Sequence, residues 1–577
     1  MCKQDQSARY RRASLVLFSV AVILGAVSIY TASLDIGAYG LIHSLSPAYF
    51  VALFLLTVSF LVQVRFNEGG TGLIALHLVA MIVFLYFVAA PIEGTPRFPY
   101  AYHAYGHTEY IVRNGEVNTA ILTYQYWPGQ QYLGAMLVNV GGLGPLALLT
   151  GYPIALQLIS LPLLYSILRT VTEDRKVVWV AIWVYFVAGW VNQAYYTSAA
   201  HGYFFFLMVI LAALVWAIRQ GERRLAQRVP LLVIVVLLSA ALVIGHMLSS
   251  LAALFCLVVV YVLFKVKGVL RFRGPQSISA VMPGLLVAMI ALWLFNPLGG
   301  FLSGTPVEVP GGGGTTVTEN KGGVGGLFDF ESNIRSAYES AISSSFELGE
   351  QHTRVMYIKV GLTAFFCSLP ILGFLLIVAR RRVSLNFLVV LGLLLGVGVI
   401  PFVLGGYSGE ILSRVLGYGL LFLGLLAAYN AKHRVLSVLL IAFLVVCPVL
   451  FVASAYGNEK FDYVSPAEIK GVQFFYEHAP SDATVYSLTK RIWDFKYIER
   501  GYWRELDVDS IGGADSAPPG DDTRPEYVLL GERDIEGRTF LYGSVDKERL
   551  ASVATSLSYW KVYSGGGFDL FYYVREP

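Results

Sequence analysis

The sequence predicts an all-α polytopic membrane domain of about 13 transmembrane helices, followed by a small C-terminal extracytoplasmic α/β domain. Three observations lead there. Hydrophobic residues make up 56% of the 577 positions, charged residues only 14%, and the mean hydropathy is +0.62. A soluble chain carries about 25% charged residues. About 13 apolar runs approach the roughly 20 residues needed to cross a bilayer. Beyond position 455 the composition turns charged and aromatic, with turn signals such as GGADSAPPGDD.

The runs fall near 13–31, 47–64, 72–91, 149–170, 177–193, 202–218, 230–245, 249–264, 279–297, 355–379, 385–404, 410–429 and 435–453. The first resembles a signal peptide in its flanks. It lacks a clear cleavage site and many spans follow, so it reads as an uncleaved helix. Basic residues set the orientation. Lys3, Arg9, Arg11 and Arg12 precede the first run. Alternate loops then carry Arg65, Arg169–Arg175–Lys176, Arg219–Arg223–Arg224–Arg228, Lys265–Lys267–Arg271–Arg273, Arg380–Arg381–Arg382 and Lys432–Arg434. The remaining loops hold almost none. The N-terminus is therefore expected in the cytoplasm. The loops 32–46, 92–148, 194–201, 298–354 and 405–409 are expected outside, together with the tail.

The formal net charge of +4 comes from these short groups, which argues against a nucleic-acid partner. Cys2, Cys256, Cys367 and Cys447 form no CxxC, zinc or disulfide pattern, and three of them read as buried small hydrophobes. No Walker, Rossmann or Ser-His-Asp signature is present.

The chemistry is concentrated in the outer loops. The stretch 96–129, PRFPYAYHAYGHTEYIVRNGEVNTAILTYQYWPG, is a polar and aromatic island between apolar runs. Its hydrogen-bonding groups require water or a protein-lined cavity. His103 and His107 are four apart and share a helix face; Glu109 falls on another, with Tyr102, Tyr105 and Arg113. Only one of those faces should line a pocket. A neutral imidazole or a carboxylate can take a proton from an attacking hydroxyl. Asp35 is the lone acid of the first outer loop. His246 sits between two apolar runs in VIGHMLSS. Glu410 and Arg414, in GYSGEILSRVLGY, open an outer-side span, where an Arg can bind a lipid phosphate or pair with the acid. The glycine-rich loop 298–354, with a predicted amphipathic helix over 329–346, reads as a lid or a linker. In the tail, TVYSL, YVLL and FDLFYYV predict strands, and SPAEIKGVQFFYEHA predicts a helix capped by Ser465. The tail carries no catalytic constellation.

This layout resembles the GT-C superfamily of membrane glycosyltransferases. The resemblance rests on a polytopic core over most of 72–453 and an outer loop of paired amphipathic helices (102–114 and 130–140, joined through YQYWPGQQYLGAML). It also rests on the next run LALLTGYPIALQLISLPLLYSILRTVTED, the IGHMLSS turn, the outer Arg and the α/β tail. A polar His-containing loop followed by a WPG turn is similar to archaeal-looking members. The resemblance implies transfer of a sugar from a polyprenyl-phosphate or diphosphate carrier to a glycan, lipid or protein acceptor on the outer face. The base would be Glu109, His103, His107 or Asp35, with Glu93 a further acid. Tyr102, Arg97, His246, Arg354, Glu410 and Arg414 would bind substrate. The family's early loop acid is missing where this chain reads Phe98-Pro99-Tyr100-Ala101-Tyr102-His103. A divalent metal is therefore an open alternative. A polysaccharide polymerase or ligase, a transporter and a non-catalytic scaffold are the other readings.

Overall fold

The computed structural model describes residues 2–66, 71–117, 126–191, 194–219, 225–269, 280–294, 349–380, 385–404, 411–480, 483–487, 502–505, 527–542 and 559–573. The expected lid helix over 329–346 and Glu410 lie outside the described residues.

Every apolar run read from the sequence contains a helix. In chain order they are α1 (Cys2–Tyr30), α2 (Pro47–Phe66), α3 (Thr71–Tyr86), the short α4 (Ala89–Glu93), α5 (Pro99–Asn114), α6 (Gly129–Asn139), α7 (Pro145–Val171) and α8 (Arg175–Val187). They continue with α9 (Ser198–Arg219), α10 (Leu225–Gly245), α11 (Met247–Val269), α12 (Val281–Leu294), α13 (Glu350–Ala379), α14 (Leu385–Leu404), α15 (Ile411–Ala428) and α16 (Arg434–Tyr456). Among the described residues, 8 helices are long and apolar enough to cross a membrane. Four shorter apolar helices accompany them, within α10, α11, α12 and α14. The protein is thus a multi-pass membrane protein. Helix α8 is a different kind of element. It has 13 residues, and Val177 through Val187 are all buried. A helix that is apolar all round and enclosed by its neighbours is a core rod, and its length falls short of a full crossing.

Asp174 starts α8 by accepting from the backbone amides of Lys176 and Val177, which satisfies two otherwise unpaired donors. The core runs continuously through these helices, with Trp183 and Phe60 stacked at 3.9 Å. Cys256 and Cys447 are buried within it, and each thiol donates to a backbone carbonyl, of Leu393 and Val187 respectively.

After α16 come α17 (Glu459–Asp462) and α18 (Pro466–His478). Ser465 caps α18 as expected, and Glu468 reaches back to the Ser465 amide at 2.6 Å, completing a capping box. The described strands are β1 (Thr484–Ser487), β2 (Tyr502–Glu505), β3 (Tyr527–Gly531), β4 (Tyr559–Gly565) and β5 (Phe568–Tyr573), with α19 (Glu532–Tyr542) following β3. The sheet order is β2-β1-β3-β5-β4. The first three strands are parallel and β5 and β4 antiparallel. Gly566 and Gly567 make the β4–β5 turn at φ 58° and 78°, where a side chain would be strained. Strands β1, β3 and β5 coincide with the three predicted from TVYSL, YVLL and FDLFYYV.

Candidate functional site: a charged cavity beside α5

The outer-loop stretch folds as two helices close to the bounds expected from sequence. Pro99 occupies the first turn of α5, where its missing N–H costs nothing. Gly115 ends the helix at φ 74°, its amide donating to the Ile111 carbonyl. Phe98, immediately before α5, has φ 68°, the sole described non-glycine residue in that region. Such a conformation costs on the order of 1–3 kcal/mol and persists only where its surroundings impose it. Here the Phe98 amide donates to the Asp462 carbonyl at 3.0 Å, and its ring lies under the Arg97 guanidinium at 3.9 Å.

Arg97 is gripped from every side. It is ion-paired with Glu459, lies 3.7 Å from the Asp462 carboxylate, and donates to the Ala455 carbonyl at 2.8 Å. The Tyr456 ring stacks on it at 4.5 Å. Burial opposes its charge, but Glu459 and Asp462 outweigh burial and raise its pKa above the ordinary value. Two further bonds fasten the loop. Thr95 donates to the Val464 carbonyl at 2.6 Å, and Tyr102 to the Pro96 carbonyl at 2.9 Å.

This knot forms one wall of a cavity of about 130 Å³. Glu93 and Asp462 line it as acids, Arg97 and Lys359 as cations, and Tyr86, Tyr195 and Trp190 as aromatic walls. Glu93 is only 3% exposed, and no hydrogen bond of ordinary geometry reaches either of its oxygens among the described residues. Its charged neighbours are Glu459, Arg97 and Asp462. The Lys359 ammonium, from α13, makes no ion pair among the described residues. A buried acid and a cation facing one polar space can hold a substrate and move a proton.

A second cavity of about 60 Å³ adjoins the first and shares Pro153, Ala194 and Tyr195 with it. Arg414, Tyr203, Tyr418 and Gln157 line it. Pro153 lies inside α7 and has no N–H to donate to the carbonyl of Leu149, itself a residue of the first cavity. Tyr195 lines both spaces, its ring 4.5 Å from that of Phe98.

The residues singled out from sequence divide accordingly. Arg97 and Arg414 line these cavities, as does Glu93. His246 lies behind the second cavity, in the break between α10 and α11. Its Nδ1 is 2.8 Å from the Ser249 hydroxyl, which is 2.6 Å from the Tyr418 hydroxyl. Tyr102 is buried behind the first cavity. His103, His107 and Glu109 line neither space. The two imidazoles are buried with their Nε2 atoms 3.4 Å apart. Burial lowers the pKa of His103 to about 4, and burial together with His103 lowers that of His107 well below the ordinary value. Glu109 is ion-paired with Arg113 one turn on. Asp35 is exposed, and its backbone is fastened to the Ser44 hydroxyl. Arg354 is exposed and ion-paired with Glu350.

Sequence reasoning passed over Lys359, Glu459 and Asp462. A lysine set between Tyr357-Ile358 and Val360-Gly361-Leu362 inside an expected span was the available signal for the first. Among the described residues no group of three or more His, Cys, Asp or Glu side chains could hold a metal ion.

No protein-family model matches the chain, and no curated protein matches it. Among solved structures, ArnT from Cupriavidus metallidurans bound to undecaprenyl phosphate is similar at a TM-score of 0.44 and 12% identity, over 87% of this chain and 98% of that one. The same protein in the apo state gives a TM-score of 0.38 at 12% identity over the same shares. Similarity of that degree leaves the chemistry to be argued from the residues.

Proposed function

We propose that the chain is a membrane glycosyltransferase that moves a sugar from a polyprenyl-phosphate or diphosphate carrier to an acceptor hydroxyl on the outer face of the membrane. The observation that carries this reading is the pairing of two adjoining cavities, one with the buried Glu93 and Lys359 and the other with Arg414, which share Tyr195 in their linings. In this reading the carrier phosphate sits between Arg414 and Lys359, and the sugar reaches past Tyr195. Glu93 takes the proton of the acceptor hydroxyl. The acceptor oxygen bonds to the anomeric carbon, the bond from that carbon to the phosphate oxygen breaks, and the phosphate leaves with the electron pair. The two cations then meet charge that grows along the reaction coordinate, where electrostatic stabilisation is most effective. Arg97 positions the wall between Glu93 and the C-terminal domain and does not clamp the phosphate, because Glu459 and Asp462 already engage it.

The outward orientation follows the distribution of Lys and Arg among the loops. The test is transfer of labelled sugar from synthetic polyprenyl-phosphate donors by the purified protein. Glu93→Gln is expected to lower turnover about 10²–10⁴-fold, as loss of a general base does. Glu109→Gln is expected to stay near wild type. Full activity in Glu93→Gln, or no transfer from any carrier, overturns the proposal.

A further inference from the structure

A third cavity is at the other end of the bundle and plays no part in the proposed reaction. It measures about 210 Å³ and lies among the ends of α7, α13 and α15 and the start of α14. Val171, Leu376, Phe387 and Leu426 build an apolar wall; Arg380, Tyr429 and Lys432 form the rim.

Helix α13 gives the depth. Lys359 lines the charged cavity and Arg380 follows the last turn of the same helix. At 1.5 Å per residue the 21 steps between them span about 31 Å, the thickness of a bilayer's hydrocarbon core. The rim therefore lies at headgroup level in the opposite leaflet. Between the two ends, Ile371, Leu375 and Val378 of α13 are exposed apolar side chains, which offer a path for acyl chains.

The rim charge is also defined. Lys432 Nζ is 2.9 Å from the Asp174 carboxylate and 5.0 Å from the centre of the Tyr429 ring. Arg380 makes no ion pair among the described residues. Two cations against one carboxylate leave one positive charge, which matches the single negative charge of a phosphodiester. Its guanidinium can offer a phosphate two parallel donors.

We infer that this cavity binds one anionic phospholipid, its phosphodiester on Arg380 beside Lys432 and Tyr429 and an acyl chain against the apolar wall. The site is independent of sugar transfer, so its test needs no enzymatic readout. The purified full chain in neutral detergent is titrated with dioleoylphosphatidylglycerol, dioleoylphosphatidylcholine or inorganic phosphate while its thermal unfolding midpoint is followed. Phosphatidylglycerol is expected to raise the midpoint by about 3 °C or more, as a ligand in excess of its Kd does. Phosphatidylcholine and inorganic phosphate are expected to give less than half of that shift. Arg380→Gln, at an exposed position, should abolish the difference between the lipids. Leu376→Trp, which fills the cavity while keeping every charge, should do the same. Equal shifts from the two lipids, a full shift from inorganic phosphate, or a lipid preference that survives in both variants would overturn the inference.

Discussion

Arg97 and Glu459 form an ion pair across 362 positions of sequence, and the Glu459 side chain is fully buried. Breaking a buried pair from one side strands a charge, which costs about 3–5 kcal/mol. Arg97→Ala and Glu459→Ala are each expected to destabilise the protein by about that amount. Removing both charges with methionines should cost less than either single change. Unfolding midpoints in a denaturing-detergent titration measure this. Arg97→Lys should also destabilise, because an ammonium cannot stack between the Phe98 and Tyr456 rings as a guanidinium plane does.

In the proposed reaction Lys359 and Arg414 hold the carrier phosphate. A hydrogen bond to a charged group is worth about 1.5–3 kcal/mol. Lys359→Met and Arg414→Gln should each raise the KM for the lipid-linked donor about 10–100-fold. The acceptor KM should change less than about threefold, a margin under 1 kcal/mol. Initial rates with each substrate varied in turn separate the two constants, and an equal rise in both would move the phosphate elsewhere.

The buried His103 makes stability depend on pH with a definite sign. Its folded pKa of about 4 lies below the ordinary 6.5 because burial disfavours the imidazolium. The stability it contributes is fully present above pH 6.5. It is lost as pH falls from 6.5 towards 4, where the unfolded chain takes up a proton that the folded chain refuses. The cumulative loss approaches about 3 kcal/mol, at 1.36 kcal/mol per pKa unit. His107 acts in the same direction. His103→Gln should flatten the slope of the unfolding midpoint between pH 6.5 and 4; an unchanged slope would place the imidazole in water.

The capping box at α18 sets a smaller test in the C-terminal domain. Ser465→Ala removes the acceptor for the Glu468 amide and should cost about 1 kcal/mol. Faster amide hydrogen exchange over Pro466–His478, with little change in α13, would show the effect to be local.

Much of this architecture could be read from the chain, because its signals are local. An apolar run reports a membrane helix wherever its neighbours lie. The α5 and α6 bounds follow from Pro99, Gly115 and the WPG turn, and Ser465 with Glu468 announces α18. The charged cavity was legible only in part. Arg97 and Glu93 lie in the loop that drew notice for its polarity. Their partners do not: Glu459 and Asp462 looked like the start of a tail, and Lys359 like a blemish in a span. Helical periodicity separated His103 and His107 from Glu109 correctly but could not say that both faces are engaged within the protein. The strands β2 and β4 were passed over too: YWRE is only four residues long, and YWKVYSG mixes aromatic, basic and small residues without a period of two, despite the glycine turn that follows it.

The knot around Arg97 also bears on how the protein is made. A ribosome delivers Glu93 and Arg97 some 360 residues before it delivers Glu459 and Asp462. Until the last membrane helix has been made and α17 has reached the loop, Arg97 lacks the Glu459 and Asp462 carboxylates and the Phe98 turn lacks the Asp462 carbonyl. The cavity is therefore completed only after the last membrane helix, and a chain released before α17 would carry its membrane helices with that wall of the cavity missing.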